Sequence, residues 1–227
     1  MGRYLHKLPN GRPVNREGFL LDAAHGRSVI HVGFTDHPLL DERIQTGTWL
    51  HSQLVEAASS LIGLDVDAEG VAWATERGYT AHAVDAADAK AVAALGLKRA
   101  DLVVAAEVLE HVDAPGPFLK AMRQLGDTLI VTTPNGLRAL SFLAPLSGHE
   151  VIHHDHVHVQ TPTTLRALLE RSGWEVERQL FYRLPAESLR GVGAKRAALG
   201  VASNTVSLAT RVWPRPYWCD GLIAVAY

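Results

Sequence analysis

The ten residues from His149 to His158 hold His149, Glu150, His153, His154, Asp155, His156 and His158, five of the 12 histidines in the chain. Imidazole and carboxylate at this density permit several chemistries. A neutral imidazole, with an ordinary pKa of about 6.5, takes a proton at neutral pH and is the side chain best suited to do so. His154 and His153 are the first candidates for such a base, with His111 behind them. A His and carboxylate set can instead hold a divalent ion such as Mg2+ that polarises a hydroxyl, and Asp155, His154 and His156 offer that set. Read literally, His149-Glu150-Val151-Ile152-His153 is the H-E-x-x-H signature of zinc hydrolases, which needs a helix to put both histidines on one face. Pro145, Gly148 and the β-branched Val151 and Ile152 argue against that helix, and the alternation His156-Val157-His158-Val159 reads as extended chain. The plain alternative is a polar surface loop.

A second set of residues is spaced along the first half of the chain. Gly33 follows SVIHV, Asp65 ends LIGLD 32 residues later, Asp85 comes 20 residues after Asp65, and Glu107 ends DLVVAAE. The flanking runs, with DTLIVTT at 127–133, are short and rich in Val, Ile and Leu, as strands buried on both faces are. Helical spacing separates them: Leu50, Leu54, Val55 and Ala58; Val71, Ala74 and Thr75 before Gly78; Phe118, Leu119, Met122 and Leu125 before Gly126. Strands alternating with helices predict crossovers and a parallel sheet. In such a sheet ligands bind at the carboxyl ends of the strands, where these acids fall. A carboxylate at the end of the second strand can accept from both hydroxyls of a ribose. The turn Gly33-Phe34-Thr35-Asp36-His37 lacks the three glycines of a dinucleotide fingerprint and the Lys of a phosphate-binding loop.

After the fifth strand a Pro- and His-containing stretch runs from Pro134 to Pro162. A helix follows over 163–171, capped by Thr161 with Pro162 in its first turn and stopped by Gly173. Two more strands are expected at 174–184 and 219–227, joined by a linker with Gly191, Gly193, Pro214 and Pro216. Residues 1–27, with Gly2, Pro9, Gly11, Pro13, Gly18 and Gly26, read as an irregular arm with a turn near Phe19 to Ala24. The expected organisation is that arm and one domain over 28–227, with a His-rich active-site loop at 134–162. Trp49 reads as core, Asn135 as a turn residue, and His156 as partly structural at the helix entrance.

The segments VIHVGFTDH, GLDVDAEGVAWATERGY, HAVDAAD, ADLVVAAEVLEHVDAPGPFLKAM, DTLIVTTPNG and HVHVQTPTTLRALLERSGWEVE, over about residues 28 to 178, resemble the class I S-adenosylmethionine-dependent methyltransferases. The resemblance is closest to the branch acting on small molecules, quinols and sugars, and EVLEHVDAPGPFL is its most specific segment. It implies an α/β, doubly wound Rossmann-like sheet of seven mostly parallel strands with an antiparallel last strand, formed by DGLIAVAY. It implies that Gly33 approaches the methionine part of the cofactor, Asp65 holds the ribose, Asp85 bonds the adenine amino group and Glu107 lines the wall, with Thr35 and Val66 beside them. Glu110 and His111 belong to the shared pattern. The chain departs from the family at His31, where an acid is usual, and at Thr35, where a second glycine is usual.

Composition narrows the partners. Apolar residues make up 47% and charged residues 20% of 227, which fits an ordinary folded domain. A formal charge of −2 offers no broad basic surface for a nucleic-acid backbone. The lone cysteine, Cys219, forms no internal disulfide, and neither a secretory signal nor an apolar run of about 18 residues is present, so a cytoplasmic protein is expected. The expectation is an S-adenosylmethionine-dependent O-methyltransferase with a small-molecule acceptor, a sugar before a phenol, and a homodimer as an allowed assembly. The rivals are a non-catalytic binding module, favoured by His31 and Thr35, and a His-rich metallohydrolase.

Overall fold

The computed structural model describes residues 5–36, 39–185, 201, 204–206, 208 and 216–227. Seven strands form one sheet: β1 (Ser28–Val32), β2 (Ser60–Asp65), β3 (Ala81–Ala83), β4 (Ala100–Ala106), β5 (Gly126–Pro134), β6 (Val176–Tyr182) and β7 (Gly221–Ala226). Their order is β3-β2-β1-β4-β5-β7-β6. The pairs β2–β3, β1–β2, β1–β4 and β4–β5 are parallel, while β7 lies antiparallel between β5 and β6. The sheet is thus the doubly wound one expected, with its last strand reversed. Strand order turns back between β1 and β4, which places the ligand crevice beyond their carboxyl ends.

Alternation along the central strands divides the core between two faces. Ile30, Val32, Val103, Ala105, Leu129 and Val131 pack on Phe118, Leu119, Met122 and Leu125 of α6 (Pro115–Leu125) and on Leu165 and Leu169 of α8 (Pro162–Arg171). Val29, Leu102, Val104, Ile130, Ile223 and Val225 face the other way, toward Leu20 and Ala24 of α1 (Arg16–Ala24) and Leu54 of α3 (Leu50–Ala57). Both faces are covered, which is why these strands read as unbroken apolar runs. Further helices are α2 (Leu40–Gln45), α4 (Ala68–Glu76), α5 (Ala89–Ala94) and α7 (Ala139–Leu143).

Two stretches differ from expectation. Residues 16–24, read as irregular with one turn, form α1: the Asn15 side chain accepts from Gly18 N at 3.1 Å, and the fully buried Leu20 pins the helix to the sheet. Val14 N also donates to Phe181 O at 2.9 Å, so this stretch is built into the domain. The stretch 134–162 holds the short α7 and a 3-10 turn, Ala144–Ser147. The expected cap of α8 is present: Thr161 Oγ1 accepts from Thr164 N at 3.2 Å and Thr164 Oγ1 accepts from Thr161 N at 2.8 Å. Gly191, Gly193 and Pro214 of the expected linker, and His37, lie outside the described residues; Pro216 opens a 3-10 turn, Pro216–Trp218.

Candidate active site

Beyond Val32 the chain turns at Gly33, whose φ of +71° suits a residue without a side chain. A Cβ there would lie 2.2 Å from Val108 Cγ2, so glycine is needed for the β1 turn to approach the β4 turn. Thr35 comes next, buried, and gives both its N–H and its hydroxyl to Asp65 Oδ2 at 3.0 and 3.1 Å. Asp65 Oδ1 accepts from Asp67 N at 3.0 Å. A carboxylate has about four acceptor positions, so three are used within the chain and one remains for a ligand. Thr35 acts as a positioning residue for Asp65. Val66 stands 72% exposed beside it, an apolar side chain free to cover a flat ring.

His31, the residue in place of the usual acid, is buried with its Nδ1 3.2 Å from Nδ1 of the equally buried His51. Burial lowers the pKa of both, of His51 to about 3, so the pair is neutral and one ring donates to the other. Trp49 is core as expected, its Nε1 donating to Phe34 O at 2.8 Å. His31 and Thr35 thus have internal partners and lend no weight to a non-catalytic module.

At the end of β3, Asp85 is exposed and accepts Ala87 N at 2.8 Å on one oxygen. Glu107, after β4, has a left-handed φ of 56°. Its Oε1 accepts from Thr132 Oγ1 at 3.0 Å and from the Tyr182 hydroxyl, and Arg16 stands 3.9 Å away. Tyr182 reaches it because Gly221 leaves room for its ring over β7, where a Cβ would lie 1.9 Å from the ring. Glu107 is thus held in an internal network. Arg16 and Tyr182 had no signal in the sequence, since each meets Glu107 only when the sheet is complete.

Glu110 and His111 sit on the 3-10 turn Leu109–His111. Glu110 is 1% exposed; its Oε2 accepts from Thr133 Oγ1 at 3.0 Å and its Oε1 has no partner. Burial, and then the Glu107 charge, drive its pKa well upward. Its carbonyl accepts Val157 N at 2.9 Å and His158 N at 3.3 Å, which draws the His-rich stretch onto this turn. The His111, His153 and His156 rings meet there, with centroids 4.7 Å apart for His111–His156, 6.1 Å for His111–His153 and 5.2 Å for His153–His156. Burial, with His111 and His153 beside it, lowers the His156 pKa to about 4.

The expected metal trio is divided. His154 and Asp155 cluster with His153, all exposed, while His156 stands with Glu110 and His111. Residues 149–153 form no helix, so the geometry that H-E-x-x-H needs is missing and the hydrolase reading has no support. Asn135 anchors the stretch from below: buried, it donates to Tyr217 O and Cys219 O at 2.8 and 2.9 Å and accepts from Leu137 N at 3.0 Å.

A family model described as a methyltransferase domain matches residues 38–179. The chain belongs to that methyltransferase family. The match takes in Asp65, Asp85, Glu107, Glu110 and the His-rich stretch, though not Gly33. Solved structures share the fold of this methyltransferase at low identity. A SAM-dependent methyltransferase from Archaeoglobus fulgidus has 16% identity and a TM-score of 0.52 over 92% of this chain and 93% of its own. Magnesium protoporphyrin IX methyltransferase from Synechocystis, with bound SAH, has 15% identity and a TM-score of 0.57 over 92% and 78%. An S-adenosylmethionine-dependent methyltransferase from Mesorhizobium loti has 16% and 0.53 over 92% and 96%. No curated protein sequence matches the chain. The crevice of this class I methyltransferase fits S-adenosylmethionine: Gly33 is a cradle that a Cβ would fill, Asp65 keeps one acceptor position, and Val66 is bare. Among the described residues no helix is long and apolar enough to cross a membrane.

Proposed function

We propose that the protein transfers a methyl group from S-adenosylmethionine to a hydroxyl of a small molecule, with saccharides the first acceptor class. The observation that carries the reading is the meeting of His111, His153 and His156 on the turn that follows Val108, the residue against Gly33. The cofactor supplies a methyl on a sulfonium, a good leaving group. The protein must then hold the partners in line, keep water out and accept one proton. Gly33, Asp65, Val66 and the exposed Asp85 hold the nucleoside side. His153, half-exposed between His111 and His156, is the proton acceptor, with His154, 82% exposed, at the outer edge. The net charge of −2 favours an uncharged acceptor over nucleic acid.

The test is transfer of an isotope-labelled methyl to a panel of saccharides, phenols, amines and thiols, read by mass spectrometry. A labelled hydroxyl product is expected, and His153→Ala should lower turnover by about 10²–10⁴-fold while leaving S-adenosylhomocysteine affinity unchanged. Labelling of amines or thiols alone would overturn the hydroxyl reading.

A further inference from the structure

We infer that Glu110, His111 and His156 form a binding site for one divalent transition-metal ion. One ligand atom from each lies within 4.8 Å of the other two. An ion bound at about 2.0–2.2 Å to nitrogen and oxygen needs its ligands somewhat closer, a change that rotation of the exposed His111 and half-buried His156 rings can supply. The backbone already fixes the approach, since Val157 N and His158 N both donate to the Glu110 carbonyl.

The second observation is independent of the spacing. Glu110 Oε1 is buried with no donor, although only 1% of the residue is exposed. A buried polar atom left unpaired is costly, and native proteins rarely keep one without a use. Glu107 also faces this end of the sheet, with Arg16 3.9 Å from its Oε1 and bridging to Glu17. A divalent ion would give Glu110 Oε1 its partner. The neighbouring trio His153, His154 and Asp155 is exposed and has no such orphan.

Donor type selects the ion. Two imidazoles and one carboxylate suit Mn2+, Fe2+, Co2+ or Zn2+ better than Mg2+, which prefers oxygen. Three protein ligands leave positions for water or for an acceptor oxygen. That last use rests on the methyl-transfer reading, whereas binding of the ion does not.

The experiment is calorimetric titration of chelator-treated full-length protein with Co2+, followed by its visible absorption, with S-adenosylhomocysteine titrated separately into each variant. One equivalent is expected, with Mg2+ binding far more weakly. Glu110→Gln, His111→Ala and His156→Ala should each weaken Co2+ binding at least about tenfold, with His154→Ala unchanged. Unchanged S-adenosylhomocysteine affinity shows that a variant is folded, and His111→Ala, at an exposed position, serves if the buried changes unfold the chain. Absence of saturable Co2+ binding, or loss in His154→Ala alone, would overturn the site. Failure of S-adenosylhomocysteine to bind would instead overturn the methyltransferase reading.

Discussion

Asp65 ties the Thr35 turn with one carboxylate, and in the proposed function the same group holds the ribose. Asp65→Ala therefore loosens the turn and removes the ligand's partner. A hydrogen bond to a charged group is worth about 1.5–3 kcal/mol, so S-adenosylhomocysteine affinity should fall by about tenfold to 150-fold. Calorimetry on Asp65→Ala checks this, and parental affinity would remove Asp65 from the site. His31 and His51 carry a pH prediction. Both are neutral in the folded protein, His51 down to about pH 3, whereas the unfolded imidazoles protonate below about 6.5. The unfolded chain then binds more protons, so stability rises with pH below 6.5 and this contribution is flat above it. The slope is at most about 1.4 kcal/mol per pH unit per histidine. Denaturant unfolding at pH 7.5 and 5 should show a shallower pH slope for His51→Asn than for the parent; equal slopes would mean that the pair is not neutral.

At the scale of elements, the segment between β5 and α8 is held from its ends by a few polar residues. Asn135→Ala would strip donors from the Tyr217 and Cys219 carbonyls and an acceptor from Leu137 N. Each buried group left unpaired costs about 1–3 kcal/mol, so thermal stability should drop clearly and limited proteolysis should speed up within 137–159. An unchanged melting temperature would show that the segment is anchored elsewhere. Why some elements were legible and others not follows from where their signals lie. The start of α8 could be read because Thr161, Pro162 and Thr164 are local. The helix α1 was missed because Pro13 and Gly18 mask its cap, Asn15, and its stability comes from Leu20 in the sheet's core. The helix α7 has five residues, no side-chain cap and one buried residue, which leaves no periodicity to find.

The whole molecule decides what the strand-end acids do. Their spacing showed that a crevice exists, because each apolar run of a parallel sheet ends at the same face. It could not show that Glu107 is taken up by Thr132, Tyr182 and Arg16, which are 25, 75 and 91 residues away and converge only when β6 and α1 have docked. Nor could it show that His156 leaves His154 and Asp155 to join Glu110, a choice made by two backbone hydrogen bonds across the turn. The strand-end residues were legible from local motifs, whereas the meeting of His111, His153 and His156 awaited the fold. The central claim is that the turn at Gly33 receives S-adenosylmethionine. The direct measurement is calorimetric titration of S-adenosylhomocysteine into the parent and Gly33→Ala proteins, since that change places a Cβ against Val108 at a left-handed φ. The account predicts saturable one-to-one binding by the parent and a large loss in the folded variant; no binding by the parent, or equal binding by both, would contradict it.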